Sequence, residues 1–107
     1  PRGWVQIGDE GARPNVEESR AVPGIDVVCI GPPDLSQSLG YPGNPKAPPV
    51  AEAITDTLAK IRAAGKAPGM PATTEALPDV LASGCLYIYN HLPRLLGAGA
   101  AAYLANR

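Results

Sequence analysis

Positive and negative charges are nearly balanced in this sequence, so it lacks an excess of either sign. Nine basic and ten acidic residues give a formal net charge of −1, and lysine and arginine form no local cluster. Proteins that bind nucleic acid neutralise phosphates with a basic surface. The sequence therefore predicts no nucleic-acid partner.

Long apolar runs are also missing. A membrane-spanning helix needs about 20 consecutive apolar residues, and no basic segment followed by an apolar core marks a signal peptide. We therefore expect no membrane partner. The chain begins at Pro1, so we expect either a removed initiator methionine or a segment of a longer protein.

Cysteine and histidine are scarce. Cys29 and Cys85 each lie in an apolar run, where a free cysteine behaves as a small buried hydrophobic residue. They do not form a CxxC pair of the metal-binding kind. Two such cysteines favour a reducing compartment, and we expect the cytoplasm. The single histidine, His91, is either a turn or helix-cap residue or an acid–base group.

The 107 residues allow one domain, or part of one, with a modest core. Four short apolar runs predict strands: Trp4–Ile7, Ile25–Ile30, Ala67–Met70 and Cys85–Tyr89. Apart from Asp26, the second and fourth are continuously apolar rather than alternating, which is typical of parallel strands covered on both faces.

Helical segments separate these runs. Apolar residues recur with helical spacing at Val50, Ile54, Leu58 and Ile61. They predict a helix over Val50–Ala64, ended by Gly65. Further helices are predicted over Thr74–Ser83 and Leu92–Asn106, and Asn15–Glu18 resembles a capping box that opens a short first helix.

The alternation of strands and helices predicts an α/β fold of parallel β/α units. A parallel sheet of only four strands, curved as in a barrel, leaves one apolar face bare. We therefore expect a covering partner, which is either a missing half of the barrel, a second copy of this chain, or another chain.

The segment Pro32–Pro49 contains six prolines and two glycines and shows no helical period, which predicts a long, stiff loop. Asp34 follows the second strand closely, and parallel α/β folds carry their chemistry at the carboxyl ends of strands. From the residues alone, Asp34 is either an N-cap or loop-bracing acid, or a metal ligand or catalytic acid. Gly31 allows the backbone to approach a ligand.

Residues 15–45, NVEESRAVPGIDVVCIGPPDLSQSLGYPGNP, resemble the central motif of the HpcH/HpaI aldolases. These are class II, metal-dependent pyruvate aldolases related to the citrate lyase β-subunit, and their fold is a TIM-like (β/α)8 barrel. IRAAGKAPGM and LASGCLYIYNHLPRLL resemble the last two units of that barrel. The resemblance implies that residues 1–107 form a single partial barrel domain, units five to eight, the carboxyl-terminal half only.

The same resemblance implies roles for individual residues. Asp34 would be a ligand of a divalent metal, Mg²⁺ or Mn²⁺, and Gly31, Pro32 and Pro33 would hold the carboxylate of pyruvate or a related 2-keto acid. The metal would stabilise an enolate. The implied activity is that of a carbon–carbon lyase acting on 2-keto (hydroxy) acids, with relatives that decarboxylate as a variant.

Several positions depart from the family pattern. Gly8 stands where the family has a second metal-binding glutamate, and one carboxylate alone binds Mg²⁺ or Mn²⁺ poorly. Asp9 or Glu10 offer partial compensation, although the next residue on a strand points to the other face. Pro33 lacks an N–H, and the family's general-base histidine and carboxylate-binding arginine belong to the absent half.

Two functions remain open on these grounds. The first is a truncated aldolase that binds metal weakly and needs a partner half or self-association. The alternative is a catalytically degenerate, aldolase-like module that is structural or binds small molecules. Arg94, in the first turn of the terminal helix, is expected to be solvated.

Overall fold

A computed structural model describes residues 3–12, 14, 16–19 and 22–107. Its strands are β1 (Gly3–Ile7), β2 (Ile25–Ile30), β3 (Ala67–Pro71) and β4 (Tyr87–Tyr89). Its α-helices are α1 (Val16–Ser19), α2 (Pro32–Ser38), α3 (Pro48–Ala63), α4 (Leu77–Ala82) and α5 (Leu92–Ala105), and a 3₁₀ turn covers Glu10–Ala12. None of the helices in these ranges is long and apolar enough to cross a membrane.

The four strands form one parallel sheet in the order β1-β2-β3-β4. In its register Gln6 lies beside Cys29, Cys29 beside Gly69, and Gly69 beside Tyr87. Each strand therefore pairs with the next one in the chain through a crossover connection. The predicted α/β fold of parallel β/α units is confirmed.

The core lies between one face of this sheet and helix α3. Its fully buried members include Val28 and Ile30 of β2 and Ile61 of α3. Burial of a side chain of this size contributes about 1.5–3 kcal/mol. A second, smaller cluster joins β3 to α4 and is formed by Met70, Ala72, Val80 and Cys85.

The other face of the sheet carries aromatic side chains that remain accessible. By the register, Trp4, Val27 and Tyr87 share this face, and Trp4 and Tyr87 are 46% and 45% exposed. The expected bare face is thus present in the described part of the chain. Cys29 lies on the same face but is fully buried, and both cysteines are free.

The loop predicted over Pro32–Pro49 is wrong in its first part, because Pro32–Ser38 is helix α2. The two prolines occupy its first positions, where a helix needs no backbone N–H and where their fixed φ is already helical. The helix also buries Leu35 completely against the core. The irregular connection between α2 and α3 is therefore shorter than the sequence indicates.

Other boundaries differ by a few residues. The fourth strand begins at Tyr87, and the helix predicted from Thr74 begins at Leu77. The stop at Gly65 is confirmed, with a φ of +76°, a region that glycine enters without strain. Asn15 of the expected capping box lies outside the described residues.

Candidate functional site

A pocket of about 200 Å³ opens at the carboxyl ends of the strands. It is lined by Gln6, Gly31, Pro33, Asp34, Pro71, Tyr89, His91 and Arg94. All four strands contribute, because Gln6 is close to the end of β1, Gly31 follows β2, Pro71 ends β3 and Tyr89 ends β4. Parallel strands end at one edge of a sheet, which brings these distant segments together.

The pocket unites most of the residues singled out in the sequence. Gly31, Pro33, Asp34 and His91 all line it, whereas Pro32, at the start of α2, does not. The metal-binding and substrate-binding roles of these residues remain predictions. Their placement shows that they share one site.

Asp34 lies in the first turn of α2, where Gly31 and not Asp34 is the N-cap residue. Its carboxylate Oδ2 accepts a hydrogen bond from Gln6 Nε2 at 3.4 Å, which links α2 to β1. A Cβ on Gly31 would lie 2.5 Å from Gln6 Nε2 and 3.0 Å from Asp34 Oδ2. Glycine at position 31 therefore leaves room for this pair.

Gly8 faces Asp34 directly. A Cβ on Gly8 would lie 2.9 Å from Asp34 Cβ and 3.3 Å from its Oδ2. Asp9, which seemed able to compensate for the missing acid, accepts hydrogen bonds from the Gly11 N–H at 2.9 Å and Ser38 Oγ at 3.1 Å. Asp9 thus stabilises the turn after β1 and does not line the pocket.

The donors at this pocket do not fit a divalent cation. Asp34 is the single carboxylate among the lining residues, which also include the cationic residue Arg94. Within the described ranges, no three residues of the types His, Cys, Asp and Glu are grouped so that they could hold a metal ion. Mg²⁺ and Mn²⁺ require a near-octahedral set of oxygen ligands.

Aromatic contacts order one wall of the pocket. The Tyr89 ring packs edge-on against His91, with centroids 5.8 Å apart, and against Trp4 at 6.3 Å. Burial raises the pKa of the Tyr89 phenol, and the nearby Cys29 thiol and Asp34 carboxylate raise it further. Tyr89 therefore keeps its proton at neutral pH and is available as a hydrogen-bond donor.

His91 is the N-cap residue of α5, and its carbonyl oxygen accepts from the Arg94 N–H at 3.0 Å. Its backbone thus has the helix-cap position that the sequence allowed. Its side chain makes no capping hydrogen bond and lines the pocket, where an imidazole can exchange a proton. The acid–base interpretation of His91 remains a prediction.

Four residues of the pocket were not assigned to a site from the sequence: Gln6, Pro71, Tyr89 and Arg94. Arg94 was expected to be solvated, and it is exposed, but it also lines the pocket. Like Asp34, it lies in the first turn of the helix after a strand, and that shared spacing was an available signal. Gln6 is the only polar side chain inside the apolar run of β1, which was a second signal.

Comparisons with known proteins give one family. The model of the HpcH/HpaI aldolase/citrate lyase family matches residues 5–83. A 4-hydroxy-2-oxovalerate aldolase from Rhodococcus jostii is 47% identical over 85 residues, which is 78% of this chain and 33% of the relative. A 4-hydroxy-2-oxo-heptane-1,7-dioate aldolase from Salmonella arizonae is 43% identical over 104 residues, which is 96% of this chain and 40% of the relative.

Among solved structures, an HpcH/HpaI aldolase/citrate lyase family protein from Burkholderia cenocepacia superposes with a TM-score of 0.88 at 30% identity. The match covers 98% of this chain and 42% of that protein. The chain therefore spans well under half the length of these relatives.

Proposed function

Because this chain belongs to the HpcH/HpaI aldolase/citrate lyase family, we propose that it supplies the carboxyl-terminal half of a barrel that cleaves a carbon–carbon bond in a small 4-hydroxy-2-oxo acid. The observation that supports this most is a pocket at the strand ends that Asp34 and His91 line together with Gln6, Tyr89 and Arg94. Strand ends of this kind carry the active sites of barrel enzymes.

The groups of the pocket match the needs of aldol cleavage. A base removes the proton of the C4 hydroxyl, the C3–C4 bond breaks, and its electron pair moves to the C2 carbonyl as an enolate while the aldehyde leaves. Return of a proton to C3 then gives pyruvate. Asp34 and His91 can accept the hydroxyl proton, and Gln6, Tyr89 and Arg94 can donate hydrogen bonds to the enolate oxygen.

Aldolases of this family generally depend on a divalent metal, and the sequence predicted a metal-stabilised enolate with Asp34 as a ligand. The donors described above do not fit such an ion. A metal-dependent reaction would therefore need ligands from a complementary amino-terminal half or from a second copy of the chain. Such a partner would also cover Trp4 and Tyr87 on the bare sheet face.

The test is a cleavage assay on the chain, with and without a complementary amino-terminal half-barrel from a relative. Its substrates are 4-hydroxy-2-oxovalerate and 4-hydroxy-2-oxoheptane-1,7-dioate, and pyruvate is measured through lactate dehydrogenase. We expect little or no pyruvate release from the chain alone and release once the complementary half is added. Asp34→Asn should lower that rate at least about 100-fold, since a general base contributes roughly that much.

Asp79→Asn is the matched control, because Asp79 is also an exposed acid in the first turn of a helix, but outside the pocket. It should leave the rate unchanged. Absence of pyruvate release under both conditions would contradict the proposed reaction.

The second candidate function is a catalytically degenerate binding module. Gly8 favours it, because glycine supplies no carboxylate at this position. In that case the pocket binds a 2-oxo acid and releases no product. Pyruvate that binds without any cleavage of either substrate would identify this function.

A further inference from the structure

We infer that Arg94 supplies the positive charge that holds the carboxylate of the ligand, so that this pocket takes a small 2-oxo acid without a divalent cation. The inference rests on the proposed function for the class of ligand. It assigns to Arg94 a specificity-determining role that the sequence did not indicate.

The geometry of α5 brings Arg94 to this place. The His91 carbonyl oxygen accepts from the backbone N–H of Arg94 at 3.0 Å and of Leu95 at 3.2 Å, which sets the first turn directly after β4. Arg94 consequently lines the same pocket as Asp34. Within the described part of the chain it forms no ion pair, so its guanidinium is available to a ligand.

The charges of the pocket favour an anion over a metal ion. Asp34 and Arg94 carry opposite formal charges that cancel, and a dication would be repelled by the guanidinium beside it. A carboxylate would instead gain a charge-assisted, bidentate pair with the planar fork of Arg94. The amide of Gln6 donates to Asp34 Oδ2 and so ties that carboxylate to β1.

The remaining groups narrow the ligand to a class. A volume of about 200 Å³ admits only a small molecule. The phenol of Tyr89 and the amide of Gln6 are donors suited to a ketone oxygen, and Asp34 and His91 are acceptors suited to a hydroxyl. A short 2-oxo acid with a hydroxyl group uses all of these groups together.

The single tryptophan provides a reporter of binding. Trp4 packs against Tyr89, which lines the pocket, so a ligand there should alter its emission. Pyruvate is titrated into the full chain in EDTA and, separately, in Mn²⁺, and calorimetry is run in parallel. We expect the same affinity under both conditions, and no binding of methyl pyruvate, which lacks the carboxylate.

Substitutions of Arg94 test the assignment directly. Arg94→Gln should weaken pyruvate binding by about tenfold or more, since a hydrogen bond to a charged group is lost, and Arg94→Lys should restore part of the affinity. Arg107→Gln, at the far end of the same helix, makes the same change in net charge and should have no effect. Arg94 is exposed, so the variants should keep the far-ultraviolet circular dichroism spectrum of the wild type.

The inference is overturned if EDTA abolishes binding, if Arg94→Gln binds as the wild type does, or if pyruvate does not bind at millimolar concentrations. Its failure is distinguishable from that of the proposed function. If pyruvate binding depends on Arg94 but neither substrate is cleaved, the role inferred for Arg94 stands and the proposed reaction is wrong. If EDTA stops cleavage and Arg94→Gln leaves the cleavage rate unchanged, the proposed reaction stands and the role inferred for Arg94 is wrong.

Discussion

At the scale of single residues, the pocket is shaped by two glycines that face the same acid. Any side chain at Gly8 would press on Asp34 Cβ, and any side chain at Gly31 would press on Asp34 Oδ2 and on Gln6. The first glycine leaves Asp34 without a neighbouring carboxylate, and the second leaves space for the amide of Gln6. Together they make Asp34 an acid partnered by an amide rather than one of a pair of acids.

This arrangement predicts how Mn²⁺ binds. Calorimetric titration should show weak binding to the wild type and none to Asp34→Ala, because Asp34 is the one carboxylate at the pocket. Gly8→Glu should bind more tightly by supplying a second carboxylate, provided that Asp34 and the start of α2 move enough to admit the new Cβ.

Gly8→Ala is the matched control for that titration, since it brings the same crowding without the carboxylate and should not tighten binding. Tight binding by the wild type that survives Asp34→Ala would place the metal site elsewhere. Loss of binding in Asp34→Ala with no gain in Gly8→Glu would mean that another position or another chain already supplies the second ligand.

The thiol of Cys29 predicts a loss of stability in alkali. Burial raises its pKa to about 11, although a hydrogen bond with Trp4 opposes the shift, while the unfolded thiol titrates near 9. Between these values the unfolded chain loses a proton that the folded chain keeps. The free energy of unfolding should therefore fall as the pH rises from about 9 to about 11, by about 1.4 kcal/mol per pH unit at most.

Urea denaturation at about pH 7.5, 9 and 10.5, values that cover the range in which this thiol ionises, measures the effect. Cys29→Ala is expected to show a shallower fall, because it lacks this thiol and keeps every other ionisable group. Equal slopes in the two proteins would show that Cys29 ionises alike in the folded and unfolded chains.

At the scale of elements, the two helices next to the pocket are held in different ways. Helix α2 is short but well anchored, since Leu35 and Ser36 are buried and Ser36 Oγ donates to the Pro33 carbonyl oxygen at 2.7 Å. Helix α5 has no buried residue at all, and Tyr103 is 81% exposed. Asp34 thus lies on an element that the core holds in place, whereas Arg94 lies on one that follows closely after β4 and buries no residue.

The glycines of α5 lead to a prediction about this helix. Apart from the backbone of α5 itself, no heavy atom of the described residues lies within 4 Å of a Cβ built at Gly97 or Gly99. Glycine in a helix interior costs about 0.8–1 kcal/mol relative to alanine. Changing both to alanine should stabilise α5 and slow the hydrogen exchange of its amides.

Ala100→Gly on the same helix is the control and should accelerate that exchange. Unchanged or faster exchange in the double alanine variant would mean that another helix packs closely on these glycines in solution.

At the scale of the whole molecule, the sheet is covered on one side only. The helices pack on the face that carries Val28 and Ile30, while the face with Trp4 and Tyr87 remains about half exposed. Contiguous exposed apolar surface of this kind marks an interaction site. Together with the length of the relatives, this supports a barrel completed by another polypeptide segment.

We therefore predict that the chain on its own associates into a dimer or a larger oligomer, with α5 at the interface. Sedimentation velocity at micromolar concentration measures this, and Leu96→Glu, which places a charge on an exposed apolar position of α5, should shift the chain toward monomer. Glu52→Gln, a charge change on the surface of α3, is the control. A stable, well-packed wild-type monomer would contradict the prediction.

Much of the fold could be predicted because its signals are local. The apolar runs gave all four strands, the period of Val50, Leu58 and Ile61 gave α3, and Gly65 gave its end. Helix α2 could not be found in this way. Two prolines in succession normally argue against a helix, and only the burial of Leu35 in the core shows why the chain turns helical there.

By itself the sequence determined the parallel β/α units, the family and the position of Asp34 just after a strand, because hydrophobic period, proline, glycine and a compact motif act over a few residues. The tertiary structure alone decided which other groups Asp34 meets. Gln6 and Arg94 are far apart in the chain, and they reach one pocket only because the register of the sheet ends every strand at the same edge.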